Sequence, residues 1–289
     1  MRKILAAATV ALSVLAAPTL TATADIAQPP GTEPAPEGPA PDWLIADLDS
    51  GEVLAEQNGY APTPPASTIK VLLALVALDE LNLDDTVVAT AADTEAECSC
   101  VGITPGHSYT ARQLLDAVLL VSGNDAANTL ADMLGGPAQA VAKMDAKAAE
   151  VGATDTHAST PSGLDGPGGP GATTPHDLAT IFRAALANPV FATITAQHSA
   201  MFPTETGERQ IVNQNELLHR YPGAIGGKTG FTDAARKTYV GAAERDGRRL
   251  VIAMMYGLIH AGGPSYWEQA AALLDWGFAQ SPRSGVGTL

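Results

Sequence analysis

Apolar and polar positions alternate near both ends of this 289-residue chain, and such alternation predicts β-strands. Residues 43–49 and 52–57 alternate on either side of the turn Asp49-Ser50-Gly51, which predicts a hairpin. Near the other end, three alternating segments predict strands at 225–229, 237–243 and 250–256. The strand-forming segments therefore lie toward the two ends of the chain.

The middle of the chain follows a helical period instead. Between Ser67 and about Ala200 the pattern is mostly helical, most clearly at residues 71–81 and 111–121. Residues 265–278 predict one more helix after the last strand. Two N-terminal and three C-terminal strands thus flank a helical insertion, which favours the α/β (α+β) class.

The first 41 residues have the composition of an export signal followed by a linker. Arg2 and Lys3 precede an apolar stretch, and Ala22-Thr23-Ala24 supplies the small residues of a cleavage site. We therefore expect a signal peptide at residues 1–24, with a retained membrane anchor as the alternative. Residues 25–41 are rich in Pro, Ala and Glu, which predicts an extended linker.

These boundaries leave one domain at residues 42–281 and a disordered tail at 282–289. An export signal implies a secreted, extracytoplasmic protein. The formal net charge of −15 becomes −17 once the two basic residues of the signal, which has no acidic ones, are removed. No segment concentrates Lys and Arg, so nucleic acid is not expected as a partner and anionic membrane surfaces are disfavoured.

Metal and cofactor chemistry finds no support in the sequence. The six His residues show neither H-x-H nor H-x-x-x-H spacing, so we expect no metal site, no zinc peptidase and no cofactor. Cys98 and Cys100 are the only cysteines. Export favours a disulfide between them, but one intervening residue makes good bridge geometry demanding, so free thiols and a redox-sensitive loop clip remain alternatives.

Ser67 and Lys70 form an S-x-x-K pattern at the start of an apolar helical run. A Ser hydroxyl is a poor nucleophile until a base takes its proton, and a spacing of three puts Lys70 within reach on one helix face. No His stands in a suitable position, so Lys70 is the candidate base, with its pKa lowered by burial and by Lys228. The alternative is an N-cap Ser followed by a solvated Lys.

Two further short motifs follow in the chain. Ser122-Gly123-Asn124 sits at a turn between helical segments, and on its own it could be an ordinary helix end followed by a new cap. Lys228-Thr229-Gly230 lies in a glycine-rich segment that would let a peptide pair with the backbone as an added strand. A nucleotide-binding P-loop is excluded because Pro222 stands where that loop needs Gly.

The three motifs occur once each and in this order, and together they resemble the signature of the serine D-alanyl-D-alanine carboxypeptidases. These are the low-molecular-mass penicillin-binding proteins of peptidase family S11, within the β-lactamase/transpeptidase superfamily. The similarity runs from about Trp43 to Phe278. It implies a five-stranded antiparallel sheet flanked by helices, plus a helical lobe, with the active site between lobe and sheet edge.

The resemblance also implies a role for each candidate residue. Ser67 would be the acylated nucleophile and Lys70 its base, and Ser122 would relay a proton toward the leaving amine. The substrate-binding residues would be Asn124, Lys228, Thr229, Gly230 and Phe231. Among them, Asn124 would hold a backbone carbonyl, Lys228 and Thr229 would meet a terminal carboxylate, and the N–H of Phe231 would complete an oxyanion hole.

The implied reaction is removal of the terminal D-Ala from peptidoglycan stem peptides through a Ser67 acyl-enzyme, with β-lactam antibiotics as inhibitors. The alternatives are a DD-endopeptidase acting on cross-links, a β-lactamase, and a non-catalytic wall-binding protein. Residues 160–171 lack the Glu that activates the deacylating water in class A β-lactamases, which disfavours that alternative. The sequence specifies no oligomeric state.

One departure from the family concerns the substrate carboxylate. Members of the family usually carry an Arg after the strand that follows the third motif, but residues 256–267 contain none. His260 is the only cationic candidate in that segment, so we expect it to substitute for the Arg.

Overall fold

A computed structural model describes residues 25–258, 262–281 and 285–289 of the chain. Its strands, in chain order, are β1 (Asp42–Asp47), β2 (Glu52–Gln57), β3 (Thr86–Val88), β4 (Ser108–Thr110), β5 (Ser199–Thr204), β6 (Gly207–Val212), β7 (Ala224–Thr232), β8 (Arg236–Arg245), β9 (Arg248–Gly257) and β10 (Gly287–Thr288). The main sheet is antiparallel, in the spatial order β10-β2-β1-β9-β8-β7. The pairs β3-β4 and β5-β6 form two small separate sheets.

The helices occupy both faces of the main sheet. They are α1 (Lys70–Glu80), α2 (Ala111–Leu120), α3 (Asn124–Met133), α4 (Pro137–Glu150), α5 (Pro175–Leu186), α6 (Pro189–Thr195), α7 (Glu216–Arg220) and α8 (Tyr266–Ala279). The five strands and the helices predicted at 111–121 and 265–278 are confirmed, with bounds that differ by a few residues. The β5-β6 hairpin has no counterpart in the sequence prediction.

Two hydrophobic clusters lie on opposite faces of the sheet. On β1, Leu44 and Ala46 belong to the cluster shared with helices α1 to α6, whereas Trp43 and Ile45 belong to the cluster under α8. Alternate residues of a strand point to opposite faces, so a strand covered on both sides is apolar at nearly every position. The sheet is therefore the middle layer of the molecule.

Helix α1 is buried along most of its length. Every residue from 70 to 77 is buried, including the charged residue Lys70 in the first turn. A helix that is apolar all round belongs in the interior, and its burial carries that one lysine in with it. The fold thus places a lysine amine in the core beside the edge strand β7.

The predicted linker at 25–41 is packed against the domain, contrary to expectation. Ala27 pairs with Glu56 on β2 by two backbone hydrogen bonds of 2.9 and 3.0 Å. The Trp276 indole donates to the Glu33 carbonyl at 2.8 Å, and Ala40 is buried. The composition of residues 25–41 shows only that the segment cannot form a hydrophobic core of its own. The segment is ordered because it packs against β2 and α8 of the domain.

The predicted disordered tail is also corrected, for the part that the structure describes. The N–H of Val286 donates to Val53 at 2.7 Å, and that of Leu289 donates to Gly51 at 2.8 Å. This segment makes β10 a sixth strand where five were expected. An edge strand such as β2 offers unpaired backbone groups, and a short polar segment satisfies them without any apolar pattern of its own.

Some expectations fall on residues beyond these ranges. The predicted signal peptide at 1–24 lies outside the described residues, as do residues 282–284 of the tail. Within the ranges given above, no single helix is long and apolar enough to cross a membrane; only α5 and α6 taken together, bent by 107°, meet the length and composition.

Candidate active site

Ser67 lies where the chain enters α1. Residues Ala66–Ile69 form a 3-10 turn, and α1 continues directly from it. The carbonyl of Pro65 accepts hydrogen bonds from the Thr68 hydroxyl at 2.6 Å and from the Thr238 hydroxyl on β8 at 2.9 Å. The turn that presents Ser67 is therefore tied to the sheet, close to a helix N-terminus as the sequence predicted.

Lys70 contacts the candidate nucleophile directly. Its Nζ lies 2.7 Å from Ser67 Oγ, 2.7 Å from Asn124 Oδ1 and 2.6 Å from the carbonyl oxygen of Ser162. The side chain is fully buried. The alternative of an N-cap Ser followed by a solvated Lys is therefore wrong.

Burial lowers the pKa of Lys70 well below its ordinary value of 10.5, and the charge of Lys228 lowers it further, against the opposing effect of Asp125. A neutral amine has two N–H donors and one lone pair. The amide oxygen and the backbone carbonyl take the two donors, which leaves the lone pair toward Ser67 Oγ. This arrangement suits removal of the hydroxyl proton.

Ser162 is one site residue that the sequence did not identify. Its carbonyl reaches Lys70 because the next residue, Gly163, has a φ of +82° and packs on the turn before the nucleophile. A Cβ at Gly163 would lie 2.0 Å from the carbonyl oxygen of Ala66. Only glycine fits there. The contact is made by a backbone oxygen, so no side chain in the sequence marks it.

Ser122 and Asn124 lie on the turn between α2 and α3. Ser122 has a φ of +61°, an uncommon conformation for a residue with a side chain and one that clusters at functional sites. The Asn124 side chain donates from Nδ2 to the Glu97 carbonyl at 2.6 Å, while its Oδ1 faces Lys70. Asn124 is therefore held toward the nucleophile rather than serving as an ordinary helix cap.

Lys228 enters the site from the sheet side. Its Nζ donates to Ser122 Oγ at 2.9 Å and to the Thr229 carbonyl at 2.6 Å. The side chain is fully buried, and burial lowers its pKa to about 7. The second and third motifs thus meet through one hydrogen bond, and Ser122 lies where a proton could pass between substrate and Lys228.

The third motif lies on β7, which is an edge strand of the main sheet. A Cβ at Gly230 would lie 2.9 Å from the backbone nitrogen of Ser67, so the strand approaches the nucleophile closely only because this residue is glycine. Gly226 and Gly227 are buried, and a Cβ at Gly226 would meet Thr195 at 2.5 Å. These two glycines therefore allow close packing beneath the strand.

A cleft of about 480 Å³ opens between the helical lobe and β7. It is lined by Ser67, Glu97, Cys98, Ser99, Ser122, Asn124, Leu164, Gln214, Glu216, Thr229, Gly230, Phe231, Lys237, Thr238, Tyr266 and Trp267. The two lysines lie beneath it, and Phe231 stands exposed at its edge. The cleft brings together every predicted site residue that the structure describes.

His260 lies outside the described residues, so its expected role stays a prediction. The structure offers another cation, Lys237 on β8, which lines the cleft beside Thr229 and pairs in register with Phe231. Among the described residues, Lys237 forms no ion pair. The sequence did not predict Lys237 in this role, because the Arg of the family is expected in the later segment 256–267.

Cys98 and Cys100 are joined by a disulfide, which decides among the alternatives left open by the sequence. The bridge lies on the loop that lines the cleft opposite β7, and Cys98 is exposed there. In the part of the chain that the structure describes, no group of three or more His, Cys, Asp or Glu side chains could hold a metal ion.

The chain was compared with known proteins. It is 71% identical over 268 residues to the D-alanyl-D-alanine carboxypeptidase DacB2 of Mycobacterium tuberculosis, covering 93% of this chain and 92% of that one. The crystal structure of a D-alanyl-D-alanine carboxypeptidase from the same organism superposes with a TM-score of 0.90 at 71% identity, over 91% of this chain and all of the other.

More distant structures share the fold. Penicillin-binding protein D2 of Listeria monocytogenes, solved in a cefotaxime-bound form, gives a TM-score of 0.74 at 28% identity, over 85% of this chain and all of that one. The model of family S11, described as D-alanyl-D-alanine carboxypeptidase, matches residues 30–257, most of the chain. On this match and on the arrangement of Ser67, Lys70, Ser122 and Lys228, the chain belongs to the D-alanyl-D-alanine carboxypeptidase family S11.

Proposed function

We propose that the chain removes the terminal D-Ala from peptidoglycan stem peptides by forming an ester on Ser67. The observation that carries this proposal is the contact of 2.7 Å between Lys70 Nζ and Ser67 Oγ in a fully buried environment. Burial lowers the pKa of Lys70 and so favours the neutral amine, which places a base beside a hydroxyl at the floor of a peptide-sized cleft.

In the first step, Ser67 Oγ attacks the carbonyl carbon of the D-Ala–D-Ala bond while its proton moves to Lys70 Nζ. The negative charge that develops on the carbonyl oxygen is stabilised by the backbone N–H groups of Ser67 and Phe231. Asn124, held by the Glu97 carbonyl, supports the acyl side of the peptide.

In the second step, the leaving amine needs a proton. Ser122 can supply one from its hydroxyl and recover it from Lys228, 2.9 Å away. The proton that Lys70 took from Ser67 passes back to Lys228, so Lys70 is neutral again and Lys228 is protonated again once D-Ala has left. A water molecule then attacks the ester while Lys70 takes a proton from that water, and Lys70 returns this proton to Ser67 Oγ as the ester bond breaks. The acid–base groups therefore return to their initial state after each cycle.

The free carboxylate of the peptide distinguishes a carboxypeptidase from an endopeptidase. Thr229 and Lys237 line the same part of the cleft, and Lys228 lies beneath it. Three groups able to donate hydrogen bonds to an anion favour a substrate with a free terminal carboxylate, and hence a carboxypeptidase. His260 would add to this set if it faces the cleft.

Inhibition by β-lactams belongs to the same proposal. The Listeria relative was solved with cefotaxime and with ampicillin bound. A β-lactam that acylates Ser67 here would fill the cleft of about 480 Å³ and remain attached as an ester.

The test is digestion of a defined pentapeptide and of a cross-linked dimer, with the products identified by mass. We expect loss of one D-Ala from the pentapeptide, slow cleavage of the dimer, and neither reaction with Ser67→Ala. Faster cleavage of the dimer would favour the endopeptidase. Turnover of a chromogenic cephalosporin without pentapeptide cleavage would favour a β-lactamase, and no reaction at all would favour a wall-binding protein.

We further propose that the protein works outside the cytoplasm. The signal-like sequence at 1–24 supports export, and so does the Cys98–Cys100 disulfide, because such bonds persist in oxidising compartments. Fractionation of cells that express the full chain tests this, and recovery of the protein only in the cytoplasm would reject it.

A further inference from the structure

We propose that the Cys98–Cys100 disulfide positions Asn124 for catalysis, and that a dithiol reaching the cleft slows acylation of Ser67 by opening it. This inference rests on the proposed acylation of Ser67. The oxidised wild-type protein serves as the baseline, and its labelling by penicillin tests that acylation separately.

The disulfide loop supplies two of the groups that hold Asn124. The carbonyl of Glu97 accepts from Asn124 Nδ2 at 2.6 Å, and the carbonyl of Ser99 accepts from the Asn124 backbone N–H, also at 2.6 Å. These carbonyls belong to the residue before the bridge and the residue inside it. The amide oxygen of the same side chain faces Lys70 Nζ at 2.7 Å. A change in the loop can therefore reach the base, Lys70, through the single residue Asn124.

The loop is anchored directly after the bridge. The carboxylate of Asp125 accepts backbone N–H groups from Val101, Gly102 and Ile103 at 2.8 to 2.9 Å, and Asp125 itself is buried. These bonds fix the chain just after the bridge. The disulfide links this fixed segment to Cys98 and thereby restrains the position of the adjacent residue, Glu97.

The bond also shortens the backbone locally. The Cα atoms of Cys98 and Cys100 are 4.8 Å apart, whereas an unbridged segment of the same length can extend to about 7 Å. Stabilisation of the whole fold by loop closure is smallest for short loops, and this loop is among the shortest that a disulfide can close. The bridge is therefore better suited to shaping the loop than to stabilising the domain.

The bond is accessible to a reductant. Cys98 is exposed and lines the cleft, so a small dithiol can reach its sulfur. One thiolate of the dithiol attacks that sulfur, Cys100 leaves as a thiolate and takes a proton, and the second thiolate then releases Cys98. The dithiol is oxidised to a cyclic disulfide, and the protein gains two thiols.

The experiment measures the rate of Ser67 acylation by a fluorescent penicillin. Wild-type protein is treated with dithiothreitol, desalted without oxygen, and titrated for two free thiols. The chain has no other cysteines, so the reductant has a single target. We expect acylation to slow about three- to tenfold, the scale of losing one or two buried hydrogen bonds, and to recover on reoxidation.

Two variants separate positioning from a general structural effect. C98S/C100S lacks the bond, so it should acylate as slowly as reduced wild type and should not respond to dithiothreitol. Asn124→Ala lacks the side chain through which the bond acts, so reduction should change its rate less than about twofold. Circular dichroism confirms that each protein stays folded at the assay temperature.

Three results would overturn the proposal. The first is an unchanged acylation rate in wild type that titrates two thiols. The second is a loss on reduction in Asn124→Ala as large as in wild type, and the third is unfolding of the reduced protein at the assay temperature.

Discussion

The two sides of the cleft each place one buried lysine against one serine, but they surround it differently. On the lobe side, three oxygen atoms lie within 2.7 Å of Lys70 Nζ, and its pKa is lowered by burial and by the second lysine. On the sheet side, Lys228 has two acceptors, and burial alone lowers its pKa, to about 7.

The difference assigns the two lysines to different tasks. Lys70 has neutral partners fixed by surrounding backbone, so it is held as a base in one geometry. Lys228 lies under an edge strand whose Thr229 opens to the cleft, so its charge can respond to an anionic substrate. The lobe side is therefore suited to forming the ester on Ser67. The sheet side is suited to binding the substrate carboxylate and to returning a proton to Ser122.

The largest expected effect tests the lobe side. Lys70→Arg keeps a positive charge but removes a group that can be neutral near pH 7, because an arginine stays protonated. Acylation by fluorescent penicillin should slow by about a hundredfold or more, the usual scale of losing a general base. The matched change Lys228→Arg should slow acylation less. Equal decreases in the acylation rate of the two variants would contradict the proposal that the two lysines have different tasks.

A second prediction compares stability across pH. Lys228 has a lowered pKa in the folded state, so between pH 7 and 9 the unfolded chain binds more protons than the folded one, and stability rises with pH. With a folded pKa of about 7 and an ordinary value of 10.5, this group contributes about 2 kcal/mol over that interval.

Urea unfolding at pH 7 and pH 9 measures this contribution. The wild-type protein should gain about 2 kcal/mol more than Lys228→Met between the two pH values, because the variant lacks the titrating group. Equal gains in the two proteins would mean that Lys228 is not neutralised by burial.

The candidate site was more predictable than its surroundings. Ser67, Lys70, Ser122 and Lys228 follow from motif spacing, because each motif fixes its residues on one local element. The Ser162 carbonyl and the Glu97 carbonyl do not, since backbone oxygens carry no residue identity and reach the site only through tertiary contacts. Local pattern cannot record a partner that lies 27 or 92 residues away.

The same limit explains the errors at the two ends of the domain. The alternation that predicted β1 and β9 arises from burial on both faces of the sheet. Residues 25–41 and 285–289 contain no such pattern, yet they pack or pair because β2 offers a free edge. Pairing at a sheet edge depends on the unpaired backbone groups of the edge strand, here β2, and not on the sequence pattern of the segment that is added to it.

The smallest predicted effect tests the sheet side. Lys237 lines the cleft next to Thr229 and, among the described residues, has no acidic partner, so its charge is available to a substrate carboxylate. Lys237→Ala should lower kcat/KM on a D-Ala–D-Ala peptide about tenfold through KM, the scale of one charged hydrogen bond. The C-terminally amidated peptide, which has no charge to recognise, should change less than about twofold.

Two controls make the result specific to this position. Lys237→Arg retains the charge and should recover most of the loss, whereas Lys143→Ala removes a lysine paired with Glu80 on the lobe and should have no effect. If Lys237→Ala slows acid and amide alike, the residue acts through strand packing and not through charge. Carboxylate recognition would then rest on Thr229, Lys228 and the predicted contribution of His260, and the sheet side would recognise its substrate mainly through the backbone of β7.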